Sequence, residues 1–188
     1  AKDQSEHPTL AIGAAAPDFA LKGVDGKVHK LADYKSKFLA IVFVSNHCPA
    51  SQLYEGRIKA IVNDYKDKGL TLIAIAPNGP GAVSPHELNY TDVDDSLESM
   101  KIRAEHRKFN FAYLYDGDTQ SVSHQYGPKV TPHLFVFDAS RKLVFEILAG
   151  IETPKVIRSV EKVLRFTNVR ARADALEVLS NLGDREAS

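Results

Sequence analysis

Two periods of apolar and polar residues run along this chain, and the switches between them mark its elements. Residues 38–44 are apolar without a break. A run this short and rich in branched side chains predicts a strand covered on both faces. Residues 70–76 repeat the pattern. Between them, residues 52–68 follow a helical period that places Leu53, Ile58, Ile61, Val62 and Tyr65 on one face, and Gly69 stops it. Strand, helix and strand of these lengths form a βαβ unit with a parallel strand pair.

The same reading extends outward. Residues 16–21 are an extended stretch, and Asp25-Gly26 supplies the positive φ of a tight hairpin turn. Residues 77–94 are an insertion rich in Pro, Gly and Asn. Asp95 is read as the N-cap of a helix reaching about Lys108, with Glu98 completing a capping box. Residues 112–116 read as a short strand and residues 118–126 as a short helix stopped at Gly127. Residues 134–138 and 143–148 flank a turn and predict an antiparallel hairpin. Thr153-Pro154 opens a helix with Val156, Ile157, Val160, Val163 and Leu164 on one face, and residues 169–182 form a last amphipathic segment. The order βαβ then ββα predicts an α/β domain, with a mixed sheet between helices on both faces.

Composition narrows the function. The 24 basic side chains balance the 24 acidic ones, which leaves no electrostatic footprint for nucleic acid. No apolar run approaches the roughly 20 residues of a membrane span. The histidines show no metal-ligand spacing, and no loop is built to cradle a cofactor phosphate, so no metal or cofactor is expected. Arg103, Arg107 and Lys108 read as a solvated helix face. The single cysteine, Cys48, excludes a disulfide within the chain.

Cys48 is also the candidate chemistry. It lies where the 38–44 strand gives way to the helix, in Ser45-Asn46-His47-Cys48-Pro49. A helix N-terminus favours negative charge, and the thiolate is the reactive form of cysteine. Ser45 is either a hydroxyl donor to the sulfur or a residue that merely fits where a thiol would sit. His47 is either a cation beside the thiol or a solvent-facing side chain. Pro49 suits the first helical position.

Five segments together resemble the thioredoxin-like redoxins, in the branch grouped with alkyl hydroperoxide reductase and thiol-specific antioxidant proteins. They are Ala16-Pro17-Asp18-Phe19, Asp25-Gly26-Lys27, Asn46-His47-Cys48-Pro49, Tyr113-Leu114-Tyr115-Asp116 and Val130-Thr131-Pro132. The resemblance covers roughly residues 12–148. It implies a thioredoxin-like three-layer fold and a cis peptide bond at Thr131-Pro132 beside Cys48. Thr131, Pro132 and Pro49 would then form the wall that meets substrate. Members of the branch usually carry Cys-Asn-His-Cys; here Ser45 holds the first place. The peroxiredoxin sister family carries Thr or Ser three residues before its reactive cysteine, which Ser45 matches. Its expected proline falls at Ile41 and its arginine at Pro132.

The resemblance implies a thiol-dependent oxidoreductase using Cys48, with Ser45 and His47 beside it. Its substrate would be a hydroperoxide or a protein disulfide, and an external thiol would be the reductant. Two alternatives stay open: a non-catalytic fold that binds extended peptides, and a dithiol enzyme whose first cysteine has been replaced by Ser45. The expected organisation is a flexible segment at 1–11, a redoxin domain at 12–166 and a helical extension at 167–188, the last a candidate surface for a homodimer. The chain begins at Ala1, and many members of the branch are exported. The expected location is therefore periplasmic or otherwise extracytoplasmic, with the cytoplasm still open.

Overall fold

The computed structural model describes residues 7–82 and 94–148. Most of the expected insertion and the helices expected after residue 150 lie outside these residues, as does most of the segment before residue 12.

Seven strands form one mixed sheet in the order β2-β1-β5-β4-β3-β6-β7. They are β1 (Ala20–Gly23), β2 (Val28–Lys30), β3 (Phe38–Phe43), β4 (Leu70–Ala76), β5 (Ala112–Tyr115), β6 (His133–Phe137) and β7 (Leu143–Leu148). The helices are α1 (Pro49–Tyr65), α2 (Leu97–His106) and α3 (Ser121–Tyr126). β3 and β4 run parallel around α1, as the βαβ pattern requires. β6 lies antiparallel to β3, with Phe43 opposite His133, and pairs with β7 as a hairpin. β1 and β2 form the first hairpin, with Gly26 at φ 79° in its turn.

β3 has no exposed residue because both faces of the sheet are covered. Phe38, Ala40 and Val42 pack with Ile58 and Tyr65 of α1 and Met100 of α2. Leu39, Ile41 and Phe43 pack on the other face with Val122 and Tyr126 of α3. The three layers therefore follow from the period of two along one strand. Asp116 starts α3 by accepting bonds from the Ser123 amide and hydroxyl, both at 2.7 Å.

Three expectations are corrected. Leu53 is 78% exposed. The inward face of α1 carries Ser51, Glu55, Ile58 and Tyr65 instead. Glu55 turns inward because Arg103 of α2 and Arg107, the C-cap of that helix, each donate to its carboxylate, at 2.6 and 2.8 Å. Arg103, 13% exposed at the side chain, is thus a clamp between helices and not part of a solvated face, while Arg107 completes the clamp with its side chain 48% exposed. The N-cap of α2 is Ser96, whose hydroxyl accepts from the Ser99 amide at 3.1 Å. Asp95, one residue earlier, is drawn into the core toward the cysteine loop.

Candidate functional site

β3 ends at Phe43, and the chain turns through residues 44–47 before α1 begins. Cys48 is the N-cap of α1 and Pro49 its first residue, where a missing N–H costs nothing. The Cys48 side chain makes no capping bond. Its sulfur turns to the neighbouring strand and donates to the Thr131 carbonyl at 3.2 Å. Cys48 is partly exposed. Thr131-Pro132 is a cis peptide bond, immediately before β6. Cys48, Pro49, Thr131 and Pro132 therefore meet at one end of the central β3–β6 pair.

Behind the thiol lies a buried polar network. Asp95 is fully buried, and its carboxylate gathers the turn. It accepts from the Asn46 amide at 2.6 Å and the His47 amide at 3.4 Å. The Ser45 hydroxyl donates to both carboxylate oxygens, at 3.2 and 3.1 Å, and His47 Nδ1 bonds to Oδ2. Asn46 is also fully used. Its side-chain amide donates to the Asp94 carbonyl at 2.9 Å, its side-chain oxygen accepts from the Tyr113 hydroxyl at 3.1 Å, and Gln52 donates to its backbone oxygen at 2.8 Å. Ser51, one turn into α1, accepts from the Ser45 amide at 3.2 Å.

These contacts place the expected site residues in the fold. Ser45 is only 3% exposed and its hydroxyl is spent on Asp95, so it is no donor aimed at the sulfur. His47 turns into the protein at Nδ1 instead of facing solvent. Ser45, His47 and Asp95 do not form a nucleophile relay. Ser45 Oγ lies 2.9 Å from the same ring nitrogen that bonds Asp95, whereas a relay uses the two nitrogens on opposite sides. His133, which follows the cis proline, is fully buried and committed elsewhere. Its Nδ1 accepts from the Lys129 amide at 3.2 Å and its Nε2 bonds Glu146 at 2.5 Å.

Burial pushes the Tyr113 phenol above its ordinary value, and the Asp95 carboxylate adds to this. Asp94 is held below the usual carboxylate range by bonds from the side chain of Ser96, then Ser99, then the Ser96 backbone. Among the described residues no group of His, Cys, Asp and Glu is arranged to hold a metal ion.

The family model described as the AhpC/TSA family matches residues 12–146. The chain belongs to the AhpC/TSA family. Within the family's thioredoxin-like fold, the match spans everything from the first hairpin to β7. A curated relative, the thiol-disulfide oxidoreductase ResA of Geobacillus thermodenitrificans (strain NG80-2), is 25% identical over 154 residues, covering 82% of this chain and 78% of its own. The crystal structure of an uncharacterized conserved protein from Geobacillus kaustophilus is 31% identical with a TM-score of 0.71, covering 85% of each chain. The thioredoxin domain of a thiol-disulfide oxidoreductase from Bacteroides vulgatus, 23% identical, superposes with a TM-score of 0.66 over 84% of this chain and all of that one, and it supports the fold.

Sequence reasoning missed Asp95, Asn46, Ser51 and Tyr113 as parts of the site. Asp95 carried a signal. Asp94, Asp95 and Ser96 are three consecutive cap-forming residues, and one helix start uses only one of them.

Proposed function

We propose that this protein is a thiol oxidoreductase that exchanges Cys48 with disulfides of extended protein substrates, with an external thiol closing the cycle. One observation carries the reading: the only thiol is a partly exposed helix N-cap whose sulfur touches the Thr131 carbonyl beside a cis proline. Cys48 stands at the N-terminus of α1, and negative charge is favoured at such a position. The Thr131 carbonyl, which among the described residues accepts from the weak Cys48 S–H donor, suits an N–H of an extended chain laid across the site. The names of the curated relatives agree with exchange chemistry.

In the exchange, the Cys48 thiolate attacks one sulfur of the substrate disulfide. The Cys48–substrate S–S bond forms as the substrate's own S–S bond breaks, and the second substrate sulfur leaves as a thiolate that takes a proton. With no second cysteine in the chain, the mixed disulfide persists until an external thiol displaces Cys48. Hydroperoxide reduction is the less favoured reading, because the Ser45 hydroxyl that would assist it is occupied by Asp95. An extracytoplasmic setting is part of the proposal, and fractionation of the native cell checks it.

The test is reaction of the folded protein with a small aromatic disulfide. One leaving thiol released per chain, an adduct located on Cys48 by mass, and no reaction in Cys48→Ala are expected. A thiol that stays silent in the folded protein but labels on unfolding overturns the proposal in favour of a binding module. A mass gain of one oxygen after brief peroxide, with no disulfide exchange, would transfer it to peroxide chemistry.

A further inference from the structure

We propose that Asp95 is a positioning residue for the Cys48 site, holding the His47 ring proton on Nδ1 so that Nε2 is the nitrogen that carries protons for the sulfur chemistry. This rests on the exchange reading above.

Asp95 is a fully buried carboxylate, and among the described residues it has no lysine or arginine partner. A buried carboxylate needs compensation by donors or by a cation. Its donors are the Asn46 amide, the His47 amide, the Ser45 hydroxyl and His47 Nδ1. The two backbone amides both aim at Oδ1 and the Ser45 hydroxyl donates to both oxygens, so the carboxylate is placed as an acceptor toward each of these partners. The proton between Asp95 Oδ2 and His47 Nδ1 therefore belongs to the nitrogen. A bare Nδ1 would set a lone pair against a carboxylate.

The neighbouring charged and titratable groups do not compete for that position. The Tyr113 hydroxyl from β5 donates to Asn46 Oδ1. Glu55 from α1 is engaged by Arg103 of α2 and by Arg107, the C-cap of that helix. The Asp94 carboxylate is taken by Ser96. Ser45 Oγ sits 2.9 Å from Nδ1 while its own proton goes to Asp95, so it can share the Nδ1 proton without claiming it.

His47 Nε2 makes no hydrogen bond among the described residues, and the His47 side chain keeps 13% of its exposure, one residue before the thiol. In the proposed step the Cys48 proton, directed in the structure at the Thr131 carbonyl, passes to Nε2 directly or through one water as the thiolate forms, and Nε2–H returns it to the departing substrate thiolate. The proton count closes without an outside base.

The experiment is a double-mutant cycle on the full chain, reading the rate of exchange with a small aromatic disulfide at neutral pH. Asp95→Asn and His47→Gln should each slow exchange by about tenfold or more. The double variant should be no slower than His47→Gln alone, because Asp95 acts through His47. Losses that multiply, or a His47→Gln rate equal to the unmodified chain's, overturn the proposal. Nitrogen NMR of the histidine ring in the unmodified chain gives an independent reading even if Asp95→Asn fails to fold. Protonated Nδ1 is expected, and an Nε2–H tautomer with bare Nδ1 overturns it. No exchange at all by the unmodified chain would instead sink the exchange reading, a separate outcome from an unchanged cycle.

Discussion

Leu53 and Glu55 lie two residues apart on α1 and exchange the positions their polarity suggests. The leucine is 78% exposed and the glutamate 7%. Glu55 holds Arg103, itself only 13% exposed at the side chain, so removing the carboxylate strands a mostly buried cation. Glu55→Ala is expected to cost about 3 kcal/mol, at the lower end for a broken buried pair. Leu53→Ala should cost no more than about 0.5 kcal/mol, as at other exposed positions. Urea unfolding of the two variants checks both, and equal losses would contradict the burial pattern. Neither inversion is legible in a helical period, which counts apolar side chains but does not know that α2 brings two arginines to the same face. Asp95 was hidden for a similar reason: its partners lie 48 to 50 residues away in the chain.

α1 sets the geometry of the site. Its N-cap holds Cys48 partly exposed, and Ser51 follows on the first turn at 3% exposure. Residues three apart share a helix face, and paired cysteines at this spacing form the redox motif of helix N-termini. Ser51→Cys is therefore expected to close a disulfide with Cys48 on mild oxidation, seen as a two-hydrogen mass loss and a lost free thiol. A cysteine at position 45 would instead enter the Asp95 network, whereas the Cys48 sulfur turns to Thr131. If Ser45→Cys closes the bridge and Ser51→Cys does not, residue 45 is the lost thiol of a dithiol enzyme. The sequence showed the strand-to-helix junction and the proline at the first helical turn. It could not show which neighbour of Cys48 points inward, because that depends on how the 44–47 turn is tied down.

At the scale of the whole molecule, the sheet was the most legible part. β3 and β4 were visible as apolar runs because their burial on both faces leaves little alternation to misread, and the β6–β7 hairpin was visible from two apolar runs around a turn. That burial has an alkaline consequence. Burial raises the phenols of Tyr34, Tyr113 and Tyr126 above their ordinary value, with nearby carboxylates adding to it. Tyr115 is pushed up to about 12, by burial and then by its bond to Asp118. In the unfolded chain a phenol ionises near about 10. Above that pH the unfolded state loses protons that the folded state keeps, so the contribution present below pH 10 is lost as pH rises. Phenolate absorbance from Tyr34, Tyr113 and Tyr126 should appear in one step together with loss of the fold. A gradual rise in the folded protein would count against it.

Phe43 and His133 face each other across the β3–β6 ladder, a few residues before Cys48 and immediately after Pro132. The two walls of the site are thus fastened to the same rungs at the centre of the sheet. Separating them would mean tearing the ladder that holds the core together, so the mouth of the site is a fixed jaw, not a hinge. Under the proposed function, a partner strand would meet a seat that already has its final shape, and little of the binding free energy would go into rearranging the host. The rate of capture should then follow how readily the incoming chain straightens, and unstructured substrates should be taken faster than folded ones.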